Sequence, residues 1–237
     1  MSNSFFHFKQ FTICQDKCAM KVGTDGVLLG AWVDVAQAKN VLDVGCGTGL
    51  ITLMVAQRNS QATIDAIEVD IDACDQAIEN IENSIFKERI RVFRQSFFAY
   101  FSEKKYDLIV SNPPFFKNSL PCPEKKRNTA RHNDSLPLEQ LIEHATSLLS
   151  ANGRIALILP VIQSAELEFI IATHRLFERR RTRVITIEGD LPKRFLVELS
   201  KDNLQQIQEE AEQTLILQTK DHKRTAQYLS MTKDFYL

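Results

Sequence analysis

The sequence predicts an α/β fold in which a mostly parallel sheet carries helices on both faces. Short apolar segments alternate with longer segments of helical periodicity between about residues 40 and 160, and a glycine-rich turn follows the first apolar segment. This alternation is typical of parallel strands joined by crossover helices. The chain has 237 residues, which is enough for one sizeable domain.

Five segments of the alternating region have the composition of buried strands. Each is short and rich in apolar or β-branched residues, and the first ends at Gly45. These predicted strands cover residues 41–44, 62–67, 89–93, 107–110 and 155–159.

Three helices are predicted between these strands. The first covers residues 50–57. In the second, apolar residues at steps of three and four predict one continuous face, made of Ile71, Cys74, Ile78, Ile81 and Ile85. The third is entered through Pro137 and has an apolar stripe made of Leu138, Leu141, Ile142, Ala145, Leu148 and Leu149.

The flanking regions follow a different pattern. Residues 182–188 and 195–199 are predicted as paired strands around a turn at 189–192, and residues 214–217 as a further strand. In the first forty residues we predict a strand at 8–13 and a helix at 26–35. We expect a single domain over residues 1–237, in which residues 1–39 form a lid or substrate segment and residues 40–237 form the core.

Composition and charge exclude several classes of protein. The net charge of −1 gives no overall attraction to nucleic acid, which argues against non-specific coating but leaves room for a local basic patch. The five cysteines lack the spacing of a zinc site, so we expect no metal. Neither an apolar run of about 20 residues nor a secretory signal is found. We therefore expect a cytoplasmic protein.

A glycine-rich loop joins the first predicted strand to its helix. The glycines are Gly45, Gly47 and Gly49, and Asp43 precedes the first by two residues. Dinucleotide-binding loops have the spacing G-x-G-x-x-G instead, and an acid here would repel a pyrophosphate. The arrangement resembles the D-x-G-x-G-x-G loop of S-adenosylmethionine enzymes, in which an acid suits the cationic methionyl end. An ordinary strand–helix turn without a ligand is the alternative.

An acidic side chain ends the second predicted strand. Glu68 lies 19 residues beyond Gly49, where an acid accepts hydrogen bonds from ribose hydroxyls. Asp70 competes for this role but could equally cap the following helix. We favour Glu68.

The tetrad Asn112-Pro113-Pro114-Phe115 follows the fourth predicted strand. Ligands of open parallel sheets bind outside the carboxyl ends of the strands, so the tetrad and the glycine loop should face one edge. The Asn112 side-chain oxygen and the Pro113 carbonyl could accept the two hydrogens of a conjugated amino group. Phe115 could stack on a planar substrate. A rigid loop with a buried aromatic residue is the alternative.

The loop and the tetrad together resemble the amino-methyltransferases with an N-P-P-[FYW] signature, which modify adenine N6, guanine N2 or protein glutamine. Residues 8–13, 18–32 and 234–237 resemble more specifically the bacterial tRNA (adenine-37-N6)-methyltransferases that act on a valine tRNA. This resemblance implies the Rossmann-like fold of class I S-adenosylmethionine-dependent methyltransferases, with a mostly parallel seven-stranded sheet. It also implies methyl transfer to N6 of adenine 37 in the anticodon loop of that tRNA.

Other functions stay open on the same residues. An enzyme acting on rRNA guanine N2, DNA adenine N6 or protein glutamine is one alternative. A non-catalytic subunit that binds RNA or the cofactor is a more remote one, because it would not need acceptors at the tetrad.

The resemblance also assigns site residues. The residues expected to bind the cofactor are Lys21, Thr24, Asp25, Asp43, Gly45, Gly47, Gly49, Glu68, Ser96 and Asn112. The residues expected to hold the target adenine and act in catalysis are Asn112, Pro113, Pro114 and Phe115. Ser96 is a departure from the family, since many relatives have an aspartate there that contacts the cofactor adenine.

Basic residues after the tetrad are the candidate contacts to tRNA. These are Lys125, Lys126, Arg127 and Arg131, which could neutralise phosphates beside the target base. A solvated loop explains them equally well. The run Arg179-Arg180-Arg181 is more typical of a solvated face, and the aromatic residues at 97–101 are more typical of core packing than of base stacking.

Overall fold

The computed structural model describes residues 3–18, 20–114, 136–202 and 213–237. Within them the chain forms ten strands and six α-helices. The strands are β1 Phe5–His7, β2 Thr12–Cys14, β3 Asn40–Val44, β4 Thr63–Glu68, β5 Ile90–Arg94, β6 Tyr106–Ser111, β7 Leu149–Pro160, β8 Phe177–Ile187, β9 Arg194–Ser200 and β10 Gln213–Gln218. The helices are α1 Thr24–Trp32, α2 Leu50–Arg58, α3 Ile71–Glu82, α4 Leu138–Leu148, α5 Ser164–Thr173 and α6 Ala226–Thr232.

The main sheet has the strand order β10-β8-β9-β7-β6-β3-β4-β5. Only β9 runs antiparallel to its neighbours β7 and β8, so the described sheet is mostly parallel, as predicted. The sheet has eight strands instead of the seven that the resemblance implied. The eighth is β10, which pairs in parallel with β8 and buries Leu215 and Leu217.

Helices cover both faces of the sheet, which confirms that prediction. One face packs against α1, α2 and α6 through residues such as Val27, Leu53 and Tyr228. The other packs against α4 and α5 through Leu141 and Leu167. Alternation along each strand separates the two layers, because successive side chains of a strand point to opposite faces.

The first forty residues differ from the prediction. The expected strand at 8–13 is a two-stranded hairpin of β1 and β2, because the chain turns at Phe8–Phe11, where the two rings stack with centroids 4.8 Å apart. Both rings are buried in the same core as α1 and α2. The expected helix at 26–35 is α1, which begins earlier and ends at Trp32.

The predicted apolar face of α3 is wrong for three of its five residues. Ile71 and Ile78 are exposed, as is Ile85 beyond the helix end. Cys74 and Ile81 are buried as predicted, but Gln76 and Asn80 are buried beside them. The helix packs against β2 as well as the sheet, and the backbone groups of that short hairpin need polar partners.

The arginine run on β8 takes part in packing. The Arg180 guanidinium lies 3.7 Å from the centre of the Trp32 ring and pairs with Glu198 at 2.9 Å. Arg181 pairs with Glu178 at 2.7 Å. The Arg180 contacts tie α1 to β8 and β9, whereas the Arg181 pair lies within β8. Both arginines are partly buried rather than free on a solvated face.

The four cysteines in the described part of the chain, Cys14, Cys18, Cys46 and Cys74, are free thiols. None of the described helices has the length and apolar character that crossing a membrane requires.

Candidate active site

The two motifs lie side by side at one edge of the sheet. They follow the neighbouring parallel strands β3 and β6, where Val44 pairs with Ser111. The Ser111 hydroxyl donates a 2.8 Å hydrogen bond to the Val44 carbonyl oxygen. The bases of the glycine loop and of the tetrad are therefore joined directly.

The glycine loop turns sharply through left-handed backbone. Its three glycines have φ of 69°, 56° and 82° at Gly45, Gly47 and Gly49, a region that residues with a Cβ rarely adopt. The amides of Gly45 and Cys46 both donate to the Ile67 carbonyl, at 2.9 and 3.0 Å. These two bonds fix the loop to the end of β4. The sequence has a glycine at every second loop position because every second residue there has a left-handed φ.

Asp43 lies beneath the loop, fully buried. One carboxylate oxygen accepts a 2.6 Å hydrogen bond from the Thr52 hydroxyl, and the other is buried without a hydrogen-bond partner in the described part of the chain. Burial raises the pKa of Asp43 to about 7. Asp43 lines neither of the cavities described below, so any influence on a ligand acts through the loop or through its charge.

The two acids at the end of β4 and just beyond it, Glu68 and Asp70, have different surroundings. The Asp70 carboxylate caps α3 by accepting from the Ala73 amide at 2.8 Å. The Glu68 carboxylate accepts from the amides of Gly47, Val69 and Asp70 at 2.8–2.9 Å. Glu68 thus ties the end of β4 to the glycine loop. Both acids line the first cavity.

Two adjoining cavities open beside the motifs, with volumes of about 240 and 430 Å³. Five residues line both: Met20, Gly45, Gly47, Asn112 and Pro114. The Asn112 side-chain oxygen is buried and has no hydrogen-bond partner among the residues that the structure describes. A buried acceptor left unpaired costs about 1–3 kcal/mol, so this oxygen is placed to receive a donor from a ligand.

The N-terminal segment forms the outer wall of the second cavity. Lys21, Thr24 and Asp25 all line it, facing the glycine loop and Pro113. The Asp25 carboxylate pairs with Arg194 at 3.0 Å, which anchors the start of α1 to the start of β9. The sequence-predicted lid residues are therefore brought to the site.

The remaining predicted residues have different placements. Ser96 lines the first cavity together with Phe97 and Phe98. Gly49 lines neither cavity but packs on α3, where an added Cβ would meet Ala77 at 3.6 Å. The last tetrad residue and the basic candidates lie outside the described residues: Phe115, Lys125, Lys126, Arg127 and Arg131.

The described residues suit a nucleoside cofactor with a cationic end. Among them nothing lies within 4 Å of a Cβ added at Gly47, so a ligand can approach that backbone closely. Glu68 offers a carboxylate to ribose hydroxyls in the first cavity, and Phe97 and Phe98 offer aromatic faces. The two cavities together have the size of a small-molecule site, which is about 300–1,000 Å³.

Comparison with known proteins assigns the family. The family model described as Methyltransferase small domain matches residues 18–182. A relative from Parabacteroides distasonis, named tRNA1(Val) (adenine(37)-N6)-methyltransferase, is 48% identical, and the alignment covers 100% of this chain and 99% of the relative. The chain belongs to this methyltransferase family. Relatives of the same name from Bacteroides thetaiotaomicron and Trichodesmium erythraeum are 44% and 46% identical over the same shares of the two chains.

Solved structures show that this methyltransferase has the class I fold. An Agrobacterium tumefaciens protein described as a predicted O-methyltransferase superposes with a TM-score of 0.67 at 17% identity, covering 89% of this chain and 96% of that one. A Pyrococcus horikoshii protein solved in complex with MeSAdo superposes with a TM-score of 0.58 at 14% identity, covering 85% and 73%. The Rossmann-like fold of S-adenosylmethionine-dependent methyltransferases is thereby confirmed.

Several residues of the methyltransferase site were missed by the sequence analysis. Among those that line the first cavity are Cys18, Met20, Val69, Ala73, Gln95 and Leu136. Thr52 and Ser111 were missed as well, and they donate hydrogen bonds to Asp43 and to the Val44 carbonyl oxygen. The signal that could have identified both is a polar residue in an otherwise apolar strand or helix. Of the aromatic cluster, Phe97 and Tyr100 are buried as core packing predicts, whereas Phe101 is exposed.

Proposed function

We propose that this methyltransferase transfers a methyl group from S-adenosylmethionine to N6 of adenine 37 in the anticodon loop of a valine tRNA. The relatives of that name match along the full chain. The single structural observation that carries the proposal is at Asn112. Its side-chain oxygen is buried without a hydrogen-bond partner among the described residues, and the residue lines both cavities.

The residue types explain how an unreactive amino group could be methylated. The N6 lone pair of adenine is delocalised into the ring. In our proposal Asn112 accepts one N6 hydrogen and the Pro113 carbonyl accepts the other, which fixes the nitrogen and favours its pyramidal form. Proline at 113 and 114 restricts φ, so both acceptors are held in place before the substrate arrives. Phe115 stacks on the adenine ring in this proposal.

The cofactor is proposed to span the two cavities. Glu68 would bind the ribose hydroxyls, and Ser96 with its neighbouring phenylalanines would contact the adenine. Lys21, Thr24 and Asp25 would enclose the methionyl end opposite Gly45 and Gly47. When bound, S-adenosylmethionine supplies the methyl group, and transfer leaves S-adenosylhomocysteine and a proton from N6. That nitrogen becomes acidic only as it is methylated, so no strong base is needed beside Asn112.

The wider assignments rest on the same proposal. In this proposal residues 1–39 form the lid or substrate segment and residues 40–237 form the core. The hydrophobic core that Phe8 and Phe11 share with α1 and α2 supports a single domain. The basic residues at 125–127 and Arg131 neutralise phosphates that flank the target. The enzyme works in the cytoplasm, where its tRNA substrate is found.

Methyl-transfer assays on isolated nucleic acids and protein test the substrate. The purified chain is incubated with labelled S-adenosylmethionine and, in separate reactions, total tRNA, total rRNA, DNA and protein from cells that lack the gene. We expect label in tRNA alone, recovered as N6-methyladenosine after nucleoside digestion. A valine tRNA transcript should accept about one methyl group per molecule, and the same transcript with guanine at position 37 should accept none.

The alternatives give distinct products. Label in rRNA as N2-methylguanosine, in DNA as N6-methyladenine or on protein glutamine would replace the tRNA assignment. Cofactor binding without transfer to any of the four substrates would favour a non-catalytic subunit.

A further inference from the structure

Helix α3 buries two amide side chains on the face that packs against the N-terminal hairpin. Gln76 is 0% exposed and Asn80 is 2% exposed, one helical turn apart. Burying an amide is costly unless its hydrogen bonds are replaced. Both amides are bonded, and they bond to the segment that leads into the outer wall of the second cavity.

Asn80 bonds to both sides of the cleft. Its Nδ2 donates to the Thr48 carbonyl at 2.9 Å and to the Cys14 carbonyl at 3.0 Å, and its Oδ1 accepts from the Cys14 amide at 2.8 Å. Thr48 belongs to the glycine loop and lines the second cavity. Cys14 is the last residue of β2, in the N-terminal segment. A single side chain therefore joins the glycine loop to the N-terminal segment that continues into the outer wall.

Further hydrogen bonds carry the connection to the outer wall. Gln15, next to Cys14, is buried, and its Oε1 accepts from the Val22 amide at 2.8 Å. Val22 lines the second cavity. Gln76 supports the same stretch by accepting from the Lys17 amide at 3.1 Å. The path from the glycine loop to the outer wall thus runs through Thr48, Asn80, Cys14, Gln15 and Val22.

We propose that Asn80 is a positioning residue that sets the separation between the glycine loop and the N-terminal wall, and thereby the affinity for the cofactor. It lines neither cavity, so it acts only through Thr48 and Cys14. The ligand's identity rests on the proposed function, but the joining of the two walls does not.

The test compares Asn80 with a second buried amide of the same kind. Asn59 is 8% exposed, and its Nδ2 donates to the Val35 and Ala38 carbonyls at 2.6 and 2.8 Å. Its Oδ1 accepts two amides, and it lies at the C-terminal end of α2, on the edge of the sheet away from the cavities. The variants Asn80→Ala and Asn59→Ala should both lower stability. Only the first should lose affinity.

The binding constant of S-adenosylhomocysteine is measured by calorimetry, well below the Tm of each variant. We expect Asn80→Ala to raise Kd about tenfold or more, since about 1.4 kcal/mol corresponds to a factor of ten, and Asn59→Ala to leave it within about twofold. Hydrogen exchange without ligand gives a second measurement. Amides at 13–25 should exchange faster in Asn80→Ala but not in Asn59→Ala.

Two results would overturn the proposal. One is an unchanged Kd in Asn80→Ala together with unchanged exchange at 13–25, and the other is an equal loss of affinity in the Asn59 variant. If Asn80→Ala does not fold, Asn80→Ser keeps a small polar side chain but cannot make the three hydrogen bonds that the amide makes to Thr48 and Cys14, and the same outcomes apply. If the wild type fails to bind S-adenosylhomocysteine, the cofactor assignment fails, while the exchange comparison still decides whether Asn80 joins the walls.

Discussion

The Ser111 hydroxyl donates a 2.8 Å hydrogen bond to the Val44 carbonyl, and both residues are fully buried at the ends of the two central strands. One bond thus joins the strand that leads into the glycine loop to the strand that leads into Asn112. In the proposed site, the relative position of the cofactor and the target nitrogen depends on those two strand ends. A shift of even a fraction of an ångström there would misalign the reacting atoms.

Replacing Ser111 should therefore affect turnover more than folding. Ser111→Ala is expected to lower the free energy of unfolding by about 1 kcal/mol and to reduce kcat about tenfold, with Kd for S-adenosylhomocysteine nearly unchanged. Urea unfolding and single-turnover kinetics measure the two effects. Ser84→Ala is the matched control, since the buried Ser84 hydroxyl donates a 2.8 Å bond to the Ile81 carbonyl. Equal kcat losses in the two variants would contradict the role of Ser111.

Asn112 should matter for transfer but little for cofactor binding. Asn112→Ala removes this buried oxygen. Loss of one preorganised hydrogen-bonding group in an oxyanion hole costs about 10²–10³ in kcat, and we take this as the scale for Asn112. We expect a loss of that order, with Kd for S-adenosylhomocysteine within about threefold. Asn112→Asp keeps an acceptor oxygen and should retain more activity than the alanine variant. Full activity in Asn112→Ala would show that the oxygen does not bind the target amino group.

Asp43 should make stability depend on pH. Burial raises the pKa of Asp43 from 3.8 to about 7, so between these pH values the folded chain holds a proton that the unfolded chain releases. The Asp43 carboxyl therefore lowers the free energy of unfolding as pH rises from about 4 to about 7. Asp43→Asn removes this carboxyl and should gain about 2–3 kcal/mol relative to the wild type between pH 5 and pH 8.

Urea unfolding of both proteins at pH 5 and pH 8 measures that difference. The exposed Asp72→Asn serves as the control for removing one carboxyl group elsewhere. A stability difference between Asp43→Asn and the wild type that stays constant with pH would contradict the raised pKa.

The basic residues after the tetrad should govern tRNA affinity through charge alone. Lys126→Ala is expected to raise KM for tRNA about threefold, to leave kcat unchanged and to reduce the slope of log K against log salt by slightly less than one. Filter-binding titrations over a range of salt concentrations measure the slope. Lys87→Ala is the control. Lys87 precedes β5 and pairs with Glu82, so this variant removes one cation away from the tetrad and should leave the slope unchanged. An unchanged slope in Lys126→Ala would show that Lys126 does not neutralise a tRNA phosphate.

Most of the fold could be predicted because its signals are local. Short apolar strands, helical periodicity and turn residues depend on neighbours in sequence, and they located most strands and helices of the region between 40 and 160 within a few residues. The exception is β7, which begins at Leu149, six residues before the predicted start. The N-terminal hairpin was missed because the Phe8–Phe11 turn has no glycine or proline to mark it. Strand β10 was predicted, but its pairing beside β8, which makes the sheet eight-stranded, is a long-range choice.

The sequence by itself determined the chemistry of this protein. Its glycines occupy every second loop position because those positions have left-handed φ. Asn112 stands just past the end of β6, and the two prolines that follow it lack the N–H that a continuing strand would need. Only the tertiary structure decided which polar residues support the site. Nothing in the spacing of α3 distinguishes Asn80 from a solvent-facing amide, since its burial depends on β2 lying across the helix. Periodicity records which face a helix can bury, whereas the elements packed against it decide which face is buried.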